Sequence, residues 1–333
     1  DRDRISLILH MSIDFLSDDT AEQFHNWSGP ISLTIVLNEP SEYKCAHQFI
    51  NSLIAQHGFG MIRVHFLYRK NQSGQCALAK IRQPETITCS TLSRRASLIE
   101  VADYPMNMAR NVAREFISTK FLLLSDVDLL FSEGFERRMS EIAKQQLAST
   151  EKRVLVFRIF EVYDERSVPR NKEDMFRMIE NGLADTFHVE SAYGHHELKG
   201  REEWLAKPEN FTDTLIANDF VRYSRYTWEP RFVGVSSVPI HDEKFPYRIR
   251  ANNVLGWEMC RAGYTFSLVE DLFTFHRAKR VSDGNRQSEN NVIQLMNRIK
   301  YERALADWYA RMDREYPETK GSCPPILRRK LWY

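Results

Sequence analysis

Short apolar runs alternate with segments of helical apolar spacing over the first half of the chain. Runs rich in β-branched residues predict buried strands, and apolar positions three or four residues apart predict helices between them. This alternation is typical of an α/β domain with a mainly parallel central sheet flanked by helices. The predicted strands are 31–37, 62–68, 121–125 and 153–160, and the predicted helices are 42–57, 105–117 and 135–148.

The regular pattern loosens after residue 165. Residues 185–228 are irregular, polar and aromatic, and so long an irregular stretch in a compact protein is usually functional or flexible. Residues 70–90 are polar and predict a loop or an edge segment. The other predicted elements are helices at 172–182, 252–262 and 291–312 and strands at 231–233, 264–269 and 272–275.

Two carboxylates, Asp126 and Asp128, directly follow the apolar strand at 121–125. Parallel α/β sheets bind ligands just beyond the carboxyl ends of their strands. Paired carboxylates hold hard divalent cations through oxygen and leave positions open for phosphate oxygens. The spacing alone is weak, because Asp1 and Asp3 share it without a preceding strand. The strand context favours a cation site over a turn with two solvated aspartates.

A polar stripe lies on the predicted helix that precedes this strand. Its members are spaced i, i+3, i+4 and i+7, so they share one helix face. Arginine suits phosphate, because its planar fork makes bidentate contacts. A solvated helix face is the competing interpretation, and for the stripe in isolation it is the favoured one. The stripe consists of Asn107, Arg110, Asn111 and Arg114.

Two further features supply candidate chemistry. Asp242 and Glu243 are adjacent carboxylates, candidates for the general base that accepts a proton from an attacking hydroxyl. A helix N-cap or a surface charge pair is the alternative for them. His276 ends an apolar strand and is a candidate third metal ligand beside Asp126 and Asp128, although a lone histidine is more often structural.

Composition narrows the choice of partners. The 46 basic and 45 acidic residues leave a net charge of +1, which gives no long-range attraction to nucleic acid or to an acidic membrane. There is no run of 18 apolar residues, so no segment of the sequence is predicted to span a membrane.

Three glycosylation sequons, at Asn26, Asn71 and Asn210, indicate the secretory pathway only weakly. Five cysteines leave at least one thiol unpaired within the chain, and Cys76 with Cys89 can form a disulfide or stay reduced.

Taken together, these features occur in an order that resembles glycosyltransferase family 49, the LARGE-like and β-1,4-glucuronyltransferase group. Each motif is short, and their shared order and spacing make the set specific. The resemblance covers residues 100 to 280 and extends more faintly from residue 31. The motifs are Tyr104-Pro105-x-Asn107-x-x-Arg110-Asn111-x-x-Arg114, Asp126-Val127-Asp128, Glu229-Pro230-x-Phe232-Val233, Asp242-Glu243-Lys244-Phe245, Ala262-Gly263-Tyr264-x-Phe266 and Phe275-His276.

The resemblance implies a GT-A fold and inverting transfer from a UDP-sugar to a glycan or glycoprotein acceptor, with Mn²⁺ as the metal. It implies that Asp128 and His276 bind the metal and that Asp126 contacts the metal or the ribose. Asp242 or Glu243 would be the base. Arg110, Asn111 and Arg114, with Asn107 on the same face, would lie near the nucleotide.

We therefore expect a single GT-A domain over residues 1–333. Its nucleotide-sugar-binding half is 28–165, its acceptor-binding and catalytic half is 166–290, and a C-terminal helix and tail occupy 291–333. The expected location is the Golgi or the secretory lumen. There, the full-length protein would be a type II membrane protein whose anchor is absent from this fragment, and the fragment itself would make no membrane contact.

Two alternatives remain at this point, and a third is excluded. The donor implied by the resemblance is UDP-glucuronic acid, but N-acetylglucosamine, galactose and xylose stay open. A glycan-binding module without turnover is a second possibility, with exposed aromatic residues stacking on sugar rings. A metal-dependent phosphohydrolase of the DxDxT type is excluded, because residue 130 is Leu. The aromatic candidates are Tyr193, Trp204, Trp228 and Trp257.

Overall fold

A ten-stranded mixed sheet is the centre of the computed structural model. The structure describes residues 2–39, 42–57, 61–69, 96–147, 152–164, 166–189, 194–209, 219–278 and 284–326. The strands are β1 Ile5–Ser12, β2 Ile31–Leu37, β3 Ile62–Tyr68, β4 Phe121–Leu124, β5 Leu129–Phe131, β6 Arg153–Val162, β7 Ala184–Thr186, β8 Asp219–Val221, β9 Phe232–Val235 and β10 Thr265–Arg277. The helices are α1 Asp18–Asn26, α2 Glu42–His57, α3 Leu98–Ala102, α4 Met106–Glu115, α5 Phe135–Gln146, α6 Lys172–Glu180, α7 Arg201–Ala206, α8 Ala251–Arg261 and α9 Gly284–Glu315.

The sheet order is β3-β2-β1-β4-β9-β6-β10-β5, with β7 added to β6 and β8 added to β10. The long ladders are parallel and join β1 to β2, β2 to β3, β1 to β4 and β6 to β10. The antiparallel pairings, such as those of β9 with β4 and β6, are short. The predicted α/β architecture with a mainly parallel sheet is confirmed.

Both faces of the sheet are covered, which is the usual state of parallel strands. Every residue of β2 is buried. On one face, α5 packs Phe135 and Met139 against the strands. On the other, α8 and α9 bring Trp257 and Trp308 together with ring centroids 4.3 Å apart. Hydrophobic burial on both faces therefore fixes the strand ends, where the candidate residues lie.

The sequence pattern missed or misread several elements. It gave no strand at β1, although this strand is central in the sheet. The prediction of separate strands at 264–269 and 272–275 is wrong, because β10 is continuous and its register with β6 shifts between Leu268 and Phe273. Polar Glu270 and Asp271 lie in that shift and interrupt the apolar pattern. The stretch predicted to be irregular contains α7 and β8.

A disulfide joins Cys260 on α8 to Cys323. Cys76, Cys89 and the segment 70–90 lie outside the described residues. Among the helices within the described ranges, none has the length and apolar character needed to cross a bilayer.

Glu136 ties the start of the sheet to α5. Its carboxylate accepts hydrogen bonds from Arg4 Nε at 2.8 Å, from the Ile5 backbone N–H at 3.2 Å and from Ser140 Oγ at 2.9 Å. The side chain is buried, and burial would raise its pKa. These donors, with Arg4 first among them, outweigh burial and hold the pKa of Glu136 below its usual value.

Glu136→Gln should lower the free energy of unfolding by about 3 kcal/mol, because a buried charge pair loses one partner. Denaturant unfolding measures this loss. Glu141→Gln on the same helix is the matched control, since Glu141 is exposed and pairs only with Lys144 at the surface. That control should cost less than about 0.5 kcal/mol. Equal losses in the two variants would contradict the assigned role.

Candidate active site

The candidate site lies where β4, β5, β6 and β10 end or turn. Asp126 and Asp128 occupy the short connection between β4 and β5. In the sheet ladder, His276 of β10 lies opposite Leu129 of β5 on one side and opposite Glu161 of β6 on the other. The backbone register therefore brings the second aspartate and the histidine to the same edge, although 148 positions separate them in the sequence.

Asp128 and His276 face each other across this edge. Asp128 Oδ2 lies 3.5 Å from His276 Nε2, and Glu161 Oε1 lies 3.5 Å from the other ring nitrogen, Nδ1. Burial would lower the pKa of His276, but the carboxylates of Asp128 and Glu161 outweigh it and raise the pKa to about 9. Asp128 keeps 56% of its side chain exposed, so the pair is open to a ligand from solvent.

Asp126 has a different environment from Asp128. Its Oδ1 accepts a hydrogen bond from Arg110 Nη2 at 3.1 Å, and its Oδ2 accepts one from Arg231 Nη2. Burial would raise the pKa of Asp126, but Arg231 and then Arg110 outweigh it and hold the pKa well below its usual value. One carboxylate therefore pairs with two guanidinium groups, so Asp126, Arg110 and Arg231 by themselves carry one net positive charge.

The other members of the α4 stripe form hydrogen bonds with the neighbouring segment, residues 236–242. Their side chains donate hydrogen bonds to backbone carbonyls of residues 236–242, which docks this segment onto the helix. Of the four stripe residues, Arg110 is therefore the one that contacts Asp126, and nucleotide contact by the other three stays a prediction. The bonds run from Asn107 to Asp242 O at 2.9 Å, from Asn111 to His241 O at 2.8 Å, and from Arg114 to Pro239 O at 2.6 Å and Ser236 O at 2.9 Å.

Asp242 and Glu243 point in different directions. Asp242 Oδ2 lies 3.5 Å from Arg311 of α9, and its Oδ1 accepts the Lys244 backbone N–H at 3.0 Å. Its side chain is mostly covered. Glu243 is exposed, and its Oε1 accepts a hydrogen bond from Asn111 at 2.9 Å. Of the two, Glu243 is therefore the carboxylate that is accessible from solvent.

Glu229 was missed as a functional candidate, although it stands in one of the family motifs. Its Oε1 lies 3.6 Å from His195 Nδ1, and its Oε2 accepts a hydrogen bond from Asn252 at 3.4 Å. Asn252 in turn accepts one from Arg110 at 2.8 Å, so Glu229 connects to the Asp126 cluster. Burial would raise the pKa of Glu229, but the hydrogen bond from His195 and other nearby positive groups lower it to about 2.

Buried neutral histidines surround this cluster. Burial lowers the pKa of His10 to about 3 and that of His196 to about 4, and it lowers the pKa of His241 well below its usual value. His10 Nδ1 lies 2.8 Å from the hydroxyl of Tyr104. Near neutral pH these three rings carry no charge, so the positive groups that contact Asp126 are Arg110 and Arg231.

The donor atoms fit a divalent metal only in part. Across the described ranges, no three His, Cys, Asp or Glu side chains are grouped so that they could hold an ion. Two of the three predicted ligands come together, Asp128 and His276, while both oxygens of Asp126 accept from arginine. One carboxylate and one imidazole are suitable ligands for Mn²⁺, and they leave positions for phosphate oxygens and water.

The chain matches the profile of glycosyltransferase family 49, described as "Glycosyl-transferase for dystroglycan", over residues 4–317, and it belongs to this family. The predicted resemblance is thereby confirmed. The mixed, mostly parallel sheet flanked by helices agrees with the GT-A fold expected from the resemblance.

The curated relatives are longer proteins. Beta-1,4-glucuronyltransferase 1 of Mus musculus is 27% identical over 223 residues, covering 66% of this chain and 50% of the relative. Xylosyl- and glucuronyltransferase LARGE1 of Homo sapiens is 26% identical over 245 residues, covering 72% of this chain and 27% of the relative. The matched part of the chain therefore spans half or less of the length of these relatives.

The solved structures with a similar course of the chain have a lower sequence identity to it than the curated relatives have. GalNAc-T7 with UDP, GalNAc and Mn²⁺ has a TM-score of 0.44 at 11% identity, covering 84% of this chain and 45% of that one. S. aureus TarS 1–349 in complex with UDP-GlcNAc has a TM-score of 0.42 at 11% identity, covering 88% of this chain and 66% of that one.

Proposed function

We propose that this chain is an inverting glycosyltransferase that moves a sugar from a UDP-sugar to a hydroxyl of a glycan or glycoprotein acceptor. The observation that carries the proposal is the pairing of Asp128 with His276 beside the positive cluster of Arg110 and Arg231. Asp128 and His276 would hold Mn²⁺. When bound, the ion would offset the negative charge that develops on the departing UDP.

The protein's own positive groups would bind the diphosphate. Arg231 and Arg110 are held in place by Asp126, and Asn252 fixes Arg110 from the other side. Such fixed charges stabilise developing negative charge without reorganising during the reaction. Asp126 would thus position the arginines and contact the ribose or the metal. Asn107, Asn111 and Arg114 would support the nucleotide site by fixing segment 236–242 on α4.

We propose Glu243 as the base, with Asp242 as its predicted alternative. Glu243 is exposed, whereas Asp242 is paired with Arg311. The structure adds Glu229 as a competitor, because its carboxylate lies beside Asn252 and His195 at the positive cluster.

The proposed donor is UDP-glucuronic acid, supported by the family and by relatives named as glucuronyltransferases. Arg248 and Arg250 are candidate partners for the glucuronate carboxylate. Both have positive φ, 62° and 52°, just before the helix that carries Asn252, and such strained positions concentrate at functional sites. Lys172 is a weaker candidate, because its side chain is buried and pairs with Asp271 at 3.4 Å. N-acetylglucosamine, galactose and xylose are the alternative sugars.

We place the reaction in the Golgi or the secretory lumen. The disulfide between Cys260 and Cys323 supports an oxidising compartment. The Asn26 sequon adds no support, because its side chain donates to Phe131 O at 3.0 Å and accepts from Phe131 N at 2.6 Å. Asn71 and Asn210 lie outside the described residues.

The alternative function, a glycan-binding module, depends on exposed tryptophans that stack on sugar rings, and the structure does not expose them. Trp204, Trp228 and Trp257 are each less than 5% exposed, so they are not available to stack on a sugar ring. Tyr193 lies outside the described residues. The prediction that these tryptophans are exposed is wrong, because they pack in the apolar clusters beside the sheet.

UDP release from a panel of UDP-sugars should require Mn²⁺ and should be fastest with UDP-glucuronic acid. Asp128→Asn should weaken metal and UDP binding together by at least about 10-fold, because the ion loses a carboxylate ligand. Calorimetry with and without EDTA measures both affinities. Asp185→Asn is the matched control, since Asp185 pairs with Arg201 away from His276. Metal-dependent UDP binding that survives in Asp128→Asn would contradict the assignment.

Glu243→Gln should lower kcat by about 10²–10⁴-fold at unchanged donor affinity, because a general base contributes that range. Asp242→Asn should mainly lower stability through its contact with Arg311. Steady-state kinetics with saturating donor and acceptor separate kcat from KM. Loss of kcat in Glu229→Gln, with Glu243→Gln fully active, would move the base to Glu229 and overturn the assignment.

A further inference from the structure

A second carboxylate flanks His276 on the side away from Asp128. Glu161 Oε1 lies 3.5 Å from His276 Nδ1, and this buried nitrogen makes no closer polar contact within the described residues. The other ring nitrogen, Nε2, faces Asp128. The imidazole thus stands between two carboxylates, one mostly exposed and one mostly covered.

We propose that Glu161 is a positioning residue for the metal site, which rests on the proposed function. A hydrogen bond donated by Nδ1–H to the Glu161 carboxylate would keep the proton on Nδ1 and leave the lone pair of Nε2 directed at the ion beside Asp128. Histidines that bind metals commonly donate their second N–H to a carboxylate, which fixes the ring and raises its basicity. Glu161 itself touches neither the substrate nor the ion.

The sheet holds Glu161 in this position. It lies directly opposite His276 in the parallel β6–β10 ladder and opposite Asp185 of β7 on its other side. Parallel neighbours at the same register project their side chains to the same face. The distance between the carboxylate and the ring is therefore set by strand spacing and not by a loop.

The chain after β7 completes the surroundings of Glu161. The backbone N–H of His188 donates to the Glu161 carboxylate. His188 has φ of 55°, a left-handed conformation that is costly for a residue other than glycine and that concentrates at functional sites. The neighbouring Phe187 packs edge-on against His276 with centroids 5.5 Å apart. Covering by Phe187 and bonding by His188 thus keep both partners in one orientation.

The nearby acid Asp185 provides a matched comparison. It stands next to Glu161 in the same row of the sheet, but among the described residues its carboxylate pairs with Arg201 and not with His276. Removing the charge of Asp185 changes the local charge without touching the imidazole. A general electrostatic effect would act through both acids, whereas positioning of the ring acts through Glu161 alone.

Calorimetric titration of Mn²⁺ into the UDP-bound protein tests the inference. Glu161→Ala should weaken Mn²⁺ binding by about 10–100-fold, the usual effect of removing an outer carboxylate. The isosteric Glu161→Gln should retain part of the affinity, because its carbonyl oxygen can still accept from Nδ1. UDP binding in EDTA should be unchanged in both variants, which shows that the fold is intact. Asp185→Asn should bind Mn²⁺ as the wild type does.

Other outcomes would overturn the role of Glu161 alone, or the proposed metal site together with it. Wild-type Mn²⁺ affinity in Glu161→Ala, together with loss of binding in His276→Ala, would overturn the role of Glu161 and leave the proposed function standing. Equal losses in Asp185→Asn and Glu161→Ala would also overturn it, because the effect would then be one of charge alone. Absence of Mn²⁺ binding by the wild type, or full binding in His276→Ala, would overturn the proposed metal site and this inference together.

Discussion

The double ion pair of Asp126 with Arg110 and Arg231 is the interaction around which the candidate site is arranged. Two nearly buried guanidinium groups would repel each other without the carboxylate between them. Asp126 resolves this repulsion, and Asn252 then extends the contact from Arg110 to Glu229. Asp126 is engaged in this way and Asp128 is the more exposed of the two, so the proposed function gives the two aspartates of the motif separate roles.

The second constraint is the register of β5, β10 and β6. A shift of one residue in β10 would turn the side chain of His276 to the other face of the sheet, and a shift of one residue in β6 would do the same to Glu161. The same rows bring Glu161 to the far side of the ring. Apolar burial on both faces fixes this register, so the core that stabilises the protein also sets the geometry of the proposed metal ligands.

Much of the fold could be predicted from sequence, because apolar periodicity is strong where strands are buried on both faces. The predicted bounds of β2, α2 and β3 match the structure. The pairing of Asp128 with His276 followed from family motifs. The tasks of Arg231, Glu229 and Glu161 could not be predicted, since they depend on cross-strand register and on contacts between distant segments. Asn111 and Arg114 lie on the predicted helix face, yet they bond to backbone carbonyls, which a sequence pattern does not reveal.

A crystal structure with UDP and Mn²⁺ tests the central claim most directly. The account predicts that the anomalous signal of the metal lies within coordination distance of Asp128 and of His276 Nε2, at about 2.0–2.3 Å. It also predicts that Asp126 keeps its contacts with Arg110 and Arg231 and that the diphosphate lies beside those arginines. A metal bound through Asp126, with the arginines displaced and His276 free, would contradict the account.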